Sequence, residues 1–317
     1  MEKIYLKAIE KEEQFFSEKY KKFPKLIRKV IFFFICFFNI LLLKKNNDKI
    51  MCILPYDINK NLSDRKANKI ADKLYKHFNK EKYLLCFSHN ITYKDKIKKN
   101  LVKNNNIIFV EGVWLFQYLI FIILEYIFKL QQTELKEQRI DILINEISEL
   151  TYYQIKEIAQ KAKRLKIVTS QIYKFKKIEE ELYEKEGIAI ELSNNIKKSL
   201  IKSNLIINID FSKDILNKYK INKNAIIIHV NQKVRLDTIS FNGINVYGCK
   251  IKIEKNIKDK FKSIGIYSDF SSNILYESYI YRKDIPKNII EQIKDEVKIE
   301  YLIGSKGRIN ELEFKSI

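Results

Sequence analysis

The most regular part of the chain alternates short runs of consecutive apolar residues with longer segments of helical period. The apolar runs are Ile140–Ile144, Lys166–Thr169, Ile188–Leu192, Leu205–Ile209 and Ala225–Val230. Between them Leu150–Leu165, Phe175–Glu186, Ile196–Ser203 and Lys213–Tyr219 read as helices, with Gly187 as a stop. Strands without polar alternation are buried on both faces, and strands separated by helices run parallel. The pattern therefore predicts an α/β fold whose main body is a parallel sheet with right-handed crossovers and helices on both faces.

Upstream the pattern changes. Residues 2–29 predict a charged helix with Phe15, Phe16, Tyr20 and Phe23 as an irregular apolar face, ended near Pro24. The run VIFFFICFFNILLL at Val30–Leu43 follows, flanked by Lys25, Arg28, Lys29, Lys44 and Lys45. As a helix its 14 residues would reach about 21 Å, short of a hydrocarbon core of about 30 Å. Being apolar all round, it reads as a buried helix, with a membrane-surface or membrane-inserted anchor and a dimer contact as the alternatives. Ile50–Leu54, closed by Pro55, then predicts a strand, and Leu62–Phe78 a helix capped by Ser63 or Asp64. Tyr83–Phe87 and Ile107–Val110 are further strands, with one helix between them, and Val113–Leu130 is an apolar connecting helix.

Past Val230 a strand at Lys250–Ile253, a last helix at Ile285–Leu302 begun by Pro286, and a hairpin in LIGSKGRI at 302–309 complete the chain. The expected organisation is a helical segment 1–49, a small α/β domain 50–112, a linking helix 113–138, the main sheet 139–255, and a helix and hairpin 256–317.

Composition adjusts this picture in two places. The formal charge of +21 invites a nucleic-acid reading. Yet nearly all of it is Lys, accompanied by Ile and Asn in the usage that A+T-rich codons impose, with only seven arginines and no basic run of six. Bidentate phosphate and base contacts favour Arg, so the charge reads as a solvated basic surface. Cys36, Cys52, Cys86 and Cys249 lie in apolar surroundings and no two have metal-ligand spacing. They read as buried hydrophobes in a cytoplasmic protein. The beginning of the sequence carries no signal-peptide pattern.

Chemistry is sparser. A dinucleotide sheet places a glycine-rich turn after its first strand so that backbone amides can approach the pyrophosphate. Here that turn is Asn145-Glu146-Ile147-Ser148-Glu149, with no glycine and two carboxylates that would repel phosphate. Ser148 suits a helix N-cap. His77, His89 and His229 form no pair with ligand spacing, so no metal site is expected. Of these, His89 is the one placed to act as a base, and Lys306 and Arg308 in the final hairpin could edge an anion nest.

The spacing of KIVTS, EELYEKEGIAIELSNN, KSLIKSNLIINID and AIIIHV resembles the NAD(P)-binding half of shikimate dehydrogenase and glutamyl-tRNA reductase. It is closer to uncharacterised Rossmann-like proteins of low-G+C anaerobic bacteria, and the likeness spans roughly residues 107–250. The resemblance implies a Rossmann-like sheet beside a smaller N-terminal α/β domain, and NAD(P) as the cofactor if there is one. It also implies a cofactor edge formed by Asn145, Ser148, Thr169, Ser170, Asn194, Asn208 and Asp210, with Gln171 and Lys174 near the ribose. Pro55-Tyr56-Asp57 and Lys60 echo the substrate-domain motif of shikimate dehydrogenase, although the rest of that motif is absent.

Two functions follow as expectations. One is a nucleotide, NAD(P) or small anionic metabolite bound in a cleft between two domains. The other is a non-catalytic scaffold or regulatory protein that keeps the sheet without a cofactor and contacts a membrane surface through residues 30–43. No catalytic residue, substrate or oligomeric state is legible.

Overall fold

The computed structural model describes the chain except residues 10–21, 58–61, 79–81, 90, 103–104, 232, 235–240, 264, 282–288 and 317. Phe15, Phe16, Tyr20, Lys60 and Pro286 lie outside the described residues. The chain forms two compact units, one of residues 1–112 with 253–286, the other of residues 113–252 with 287–317.

The first unit is built on a five-stranded sheet of order β2-β3-β1-β4-β5. Its strands are β1 (Glu2–Ile9), β2 (Leu42–Asn46), β3 (Lys49–Asp57), β4 (Tyr83–Phe87) and β5 (Ile107–Val110). Residues 2–9 are thus not the start of a helix but the central strand, parallel to both β3 and β4. Ile4, Tyr5 and Leu6 are almost wholly buried. The lysines that gave this segment a surface look are answered by distant acids: Lys7 pairs with Asp269 at 2.8 Å and Lys3 with Asp48 at 3.8 Å.

The apolar run 30–43 is likewise not one buried helix. A helix spans Lys25–Phe37, Asn39 takes a left-handed φ of 52°, and β2 begins at Leu42. Asn39 carries the reversal because its amide tolerates that region and its Oδ1 accepts the Tyr56 hydroxyl. Asn47, also left-handed with φ 52°, makes the tight return into β3, which runs antiparallel to β2. Pro55 lies inside β3 rather than ending it. Helices Asp64–His77 and Lys94–Leu101 cover this sheet through Ala67, Ile70, Leu74, Ile97 and Leu101.

Two helices from much later in the chain, Lys255–Lys262 and Ser272–Ile280, complete the first unit. Tyr5 packs edge-on against Phe261 and Phe270, with centroids 6.4 and 5.5 Å away. Its hydroxyl and Ser278 Oγ lie 2.9 Å apart in a hydrogen bond. Glu277, 2 % exposed, accepts the backbone N–H of Glu111. Burial drives the Tyr5 hydroxyl and the Cys86 thiol far above their ordinary ranges, so both stay protonated.

The second unit carries a six-stranded sheet of order β11-β10-β9-β6-β7-β8. The strands are β6 (Arg139–Leu143), β7 (Arg164–Val168), β8 (Glu191–Ser193), β9 (Leu205–Asn208), β10 (Ile226–His229) and β11 (Ile244–Val246). Every pairing is parallel. Counted from the first strand of the unit, this is the doubly wound order 3-2-1-4-5-6 that defines a Rossmann-like sheet. The expected fold class is therefore correct: mixed α/β, with a Rossmann-like parallel sheet and an additional α/β unit.

The crossovers include helices Glu149–Lys161, Ile172–Glu186 and Lys213–Leu216. Gly187, at φ 67°, closes the second of these in the left-handed conformation. The expected helix Ile196–Ser203 does not form, and the segment is a string of turns. Asn195 Oδ1 accepts the amides of Lys197 and Lys198, and the Ser199 hydroxyl donates to the Asn195 carbonyl. Short polar side chains compete here with the helical ladder.

The apolar helix expected at Val113–Leu130 runs as Val113–Tyr118 and Ile120–Gln131, interrupted at Leu119. In place of a last helix to Leu302, a short one at Ile289–Glu296 passes directly into the strand Val297–Gly304. That strand turns through Gly307, at φ 99°, into the expected hairpin with Gly307–Arg308. Gly243 enters β11 so close to β10 that a Cβ there would lie 2.0 Å from the Ala225 carbonyl oxygen.

Candidate functional site

Open α/β sheets bind ligands outside the carboxyl ends of their strands, where the strand order reverses. In the second unit that switch point lies between β6 and β9, which pair from Ile140↔Leu205 to Leu143↔Asn208. The ladder continues past both strands through Ile209 N–H to Leu143 O, at 2.9 Å. Asn145 and Asp210 therefore emerge side by side, although 65 residues separate them in sequence.

Their contact defines the site. Both carboxylate oxygens of Asp210 accept the Asn145 amide at 2.9 Å, and Oδ2 also accepts the Glu146 amide at 2.8 Å. These are the backbone donors of the turn that would face a pyrophosphate, and an anion belonging to the chain already sits on them. The Asn145 side chain closes the other flank. Its Oδ1 accepts Ser170 N–H at 2.9 Å, Ser170 Oγ at 2.8 Å and Thr169 Oγ1 at 3.3 Å, tying the turn after β6 to the turn after β7. Thr169 is fully buried, and its Oγ1 also accepts the Gln171 amide.

The following helix is closed in the same way. Ser148 is its N-cap in a capping box with Thr151, whose amide donates to Ser148 Oγ and whose hydroxyl oxygen accepts the Ser148 amide. Lys174, the expected partner for a ribose phosphate, is held by Glu146 at 2.9 and 3.1 Å.

Asn208 belongs to a second cluster at the same edge. Its Oδ1 accepts the Phe211 amide and its Nδ2 donates to the Phe211 carbonyl, both at 2.9 Å. The second Nδ2 proton faces His229 Nδ1 at 3.3 Å across the β9–β10 register. His229 Nε2 lies 2.9 Å from Asn245 Oδ1 on β11, so the ring is the neutral Nε2–H tautomer. Tyr247 stacks on it with centroids 5.1 Å apart. Burial pushes His229 down to about 4, with the Asn245 bond opposing in part.

The remaining named residues do not converge on the switch point. Asn194 is exposed after the edge strand β8, beyond β7 from the β6–β9 pair. His77 and His89 are exposed in the first unit. Tyr56 donates to the Cys36 carbonyl at 3.0 Å and to Asn39 Oδ1. None of the four cysteines is in a disulfide, and no group of metal-ligating side chains occurs among the described residues.

Lower on the sheet, Asp141 on β6 is 6 % exposed and lies 3.1 Å from Lys166 on β7. It also accepts the Ser203 hydroxyl, and Lys166 donates to the Ser199 carbonyl at 2.6 Å. Burial raises the Asp141 carboxyl above its ordinary value, against the pull of Ser203 and Lys166. This cluster fastens the irregular 196–203 segment to the sheet.

Strand order and edge together define a Rossmann-like fold in which the Asp210 carboxylate occupies the amides of the turn after β6. No protein-family model matches the chain, and no curated protein matches it in sequence. Among solved structures, L-tryptophan dehydrogenase from Nostoc punctiforme aligns at 11 % identity over 93 % of this chain and 83 % of that one, with a TM-score of 0.33. A superposition that loose carries no argument about activity. The fold assignment rests on the strand order itself.

Proposed function

We propose that this chain uses its Rossmann-like sheet as a non-catalytic scaffold whose switch point is closed to dinucleotide pyrophosphate. The supporting observation is the Asp210 carboxylate on the amides of Asn145 and Glu146. A phosphate would have to displace that carboxylate from charge-assisted bonds and then lie beside Glu146 and Glu149. The Ser148–Thr151 capping box removes the next donors along the helix. The likeness to shikimate dehydrogenase and glutamyl-tRNA reductase is then one of sheet and not of phosphate clamp.

The competing reading places NAD(P), another nucleotide or a small anionic metabolite at Asn145, Ser148, Thr169, Ser170, Asn194, Asn208 and Asp210. It requires Asp210 to leave the amides.

Titration calorimetry of the full chain and of Asp210→Ala with NADH, NADPH and ADP separates the two. The scaffold reading expects no saturable heat from the wild type up to ligand concentrations on the order of 1 mM, where binding is worth only about 4 kcal/mol. Submillimolar binding of any of the three by the wild type overturns it. Binding by Asp210→Ala alone would identify Asp210 as the group that closes the site.

A further inference from the structure

The helix Lys25–Phe37 carries apolar side chains on two opposite faces. Inward, Phe32 and Ile35 pack around Ile53 with Leu42 and Met51, and Cys36 joins the main core of the first unit. Outward, Leu26, Val30, Phe33, Phe34, Phe37 and Phe38 are exposed, Leu26 by 76 %, Phe33 by 65 % and Phe37 by 66 %. Positions 26, 30, 33, 34 and 37 fall at helical spacing, so they form one continuous stripe. Neighbouring rings stack within it, Phe33 on Phe37 and Phe34 on Phe38. No residue of this helix is buried. A water-facing stripe of this size on a helix that already has an inner face marks an interaction surface.

The charge around the stripe selects its partner. Residues 22–47 contain Lys22, Lys25, Arg28, Lys29, Lys44 and Lys45 and no Asp or Glu. All five lysines are exposed at the borders of the apolar stripe or on the adjoining strand, and Lys45 is additionally paired with Glu2. A second copy of this face would set lysines against lysines. An anionic lipid surface answers both features, taking Phe and Leu into the acyl boundary and lysines to the headgroups. Among the described residues no helix is long and apolar enough to cross a membrane, so this one would lie in the plane of the interface.

We propose that the outward face of Lys25–Phe37 docks the first unit on anionic membrane surfaces, independently of how the switch point of the second sheet is filled.

The test is flotation of the full chain on vesicles of phosphatidylcholine alone and of phosphatidylcholine with about 30 % phosphatidylglycerol. The wild type is expected to float with the anionic vesicles and to be released by high salt. The triple variant Phe33→Ser, Phe34→Ser, Phe37→Ser and the charge variant Lys25→Glu, Lys29→Glu, Lys44→Glu should each partition at least about tenfold less. Tyr173→Ser, which removes a ring that is 92 % exposed on the second unit, should float as the wild type does. Circular dichroism checks that each variant is folded, and the charge variant and salt series suffice if the Phe variant is not. Absence of the wild type from anionic vesicles, or equal flotation of wild type and both variants, overturns the proposal. So does a dimer in sedimentation that the Phe variant dissociates without any vesicle binding by the wild type.

Discussion

Acidification should weaken the second unit through His229. The ring is 2 % exposed and accepts a hydrogen bond from Asn208 at Nδ1 while donating one to Asn245 from Nε2–H. Protonating it would turn Nδ1 from acceptor into a donor facing the Asn208 amide protons, and among the described residues no carboxylate is hydrogen-bonded to the ring. In the unfolded chain a histidine titrates near 6.5, whereas here burial lowers it to about 4.

Because the folded value is the lower one, the stabilisation is complete above pH 6.5, declines as the pH falls, and is lost by about pH 4. A separation of about 2.5 units corresponds to about 3 kcal/mol, a large share of the roughly 5–15 kcal/mol that holds a domain together. Trp114, the one tryptophan of the chain, lies in the same unit and reports its unfolding. Urea titrations of its fluorescence between pH 7.5 and 4.5 should show the wild type losing stability relative to His229→Gln by about 2–3 kcal/mol. Taking the difference cancels carboxylates that titrate in both proteins. Parallel pH profiles for wild type and variant, or a ring titration near 6.5 by NMR, would refute the reasoning.

Two further outcomes rest on packing in the same unit. Lys166→Met strands the buried Asp141 carboxylate without its cation, which should cost about 3–5 kcal/mol in the Trp114 transition, while adding Asp141→Asn should recover much of the loss. A loss below about 1 kcal/mol would show that Lys166 is not what holds Asp141 in place. Gly243→Ala would drive a methyl into the Ala225 carbonyl, so its transition should fall by at least about 3 kcal/mol, and an unchanged midpoint would mean β10 and β11 are not this close.

Legibility in the sequence followed the range of the forces involved. Tyr83–Phe87 and Ile107–Val110 were readable to the residue, and β6, β7, β9 and β10 to within two, because strands buried on both faces need only consecutive Ile, Val and Leu. β1 was not readable. Its Lys7 looks like a surface residue until its partner Asp269, 262 positions away, is in place. The end of the Phe-rich helix had a signal in Asn39, and the β2–β3 return had one in Asn46-Asn47, but the uniform apolarity of 30–43 masked the first. At the site, Asn145 and Asp210 could each be singled out as strand-end residues. That they bond to each other depends on β6 lying beside β9, which is a property of strand order and not of local pattern. The Asn208–His229–Asn245 chain was missed for the same reason. Its only local trace was a histidine ending an apolar run.

The covering of Tyr5 sets a timetable for the molecule's birth. Its hydroxyl partner, Ser278, lies 273 positions later, and the rings that enclose it are Phe261 and Phe270. On a ribosome moving at about 5–20 residues per second, β1 waits on the order of 15–60 seconds for the helices that shield it. Throughout that interval the sheet of the second unit is being made, while Tyr5 still presents a bare aromatic face to solvent or to any chaperone that meets it. β1 is thus finished only after most of the unit that follows it along the chain has been synthesised.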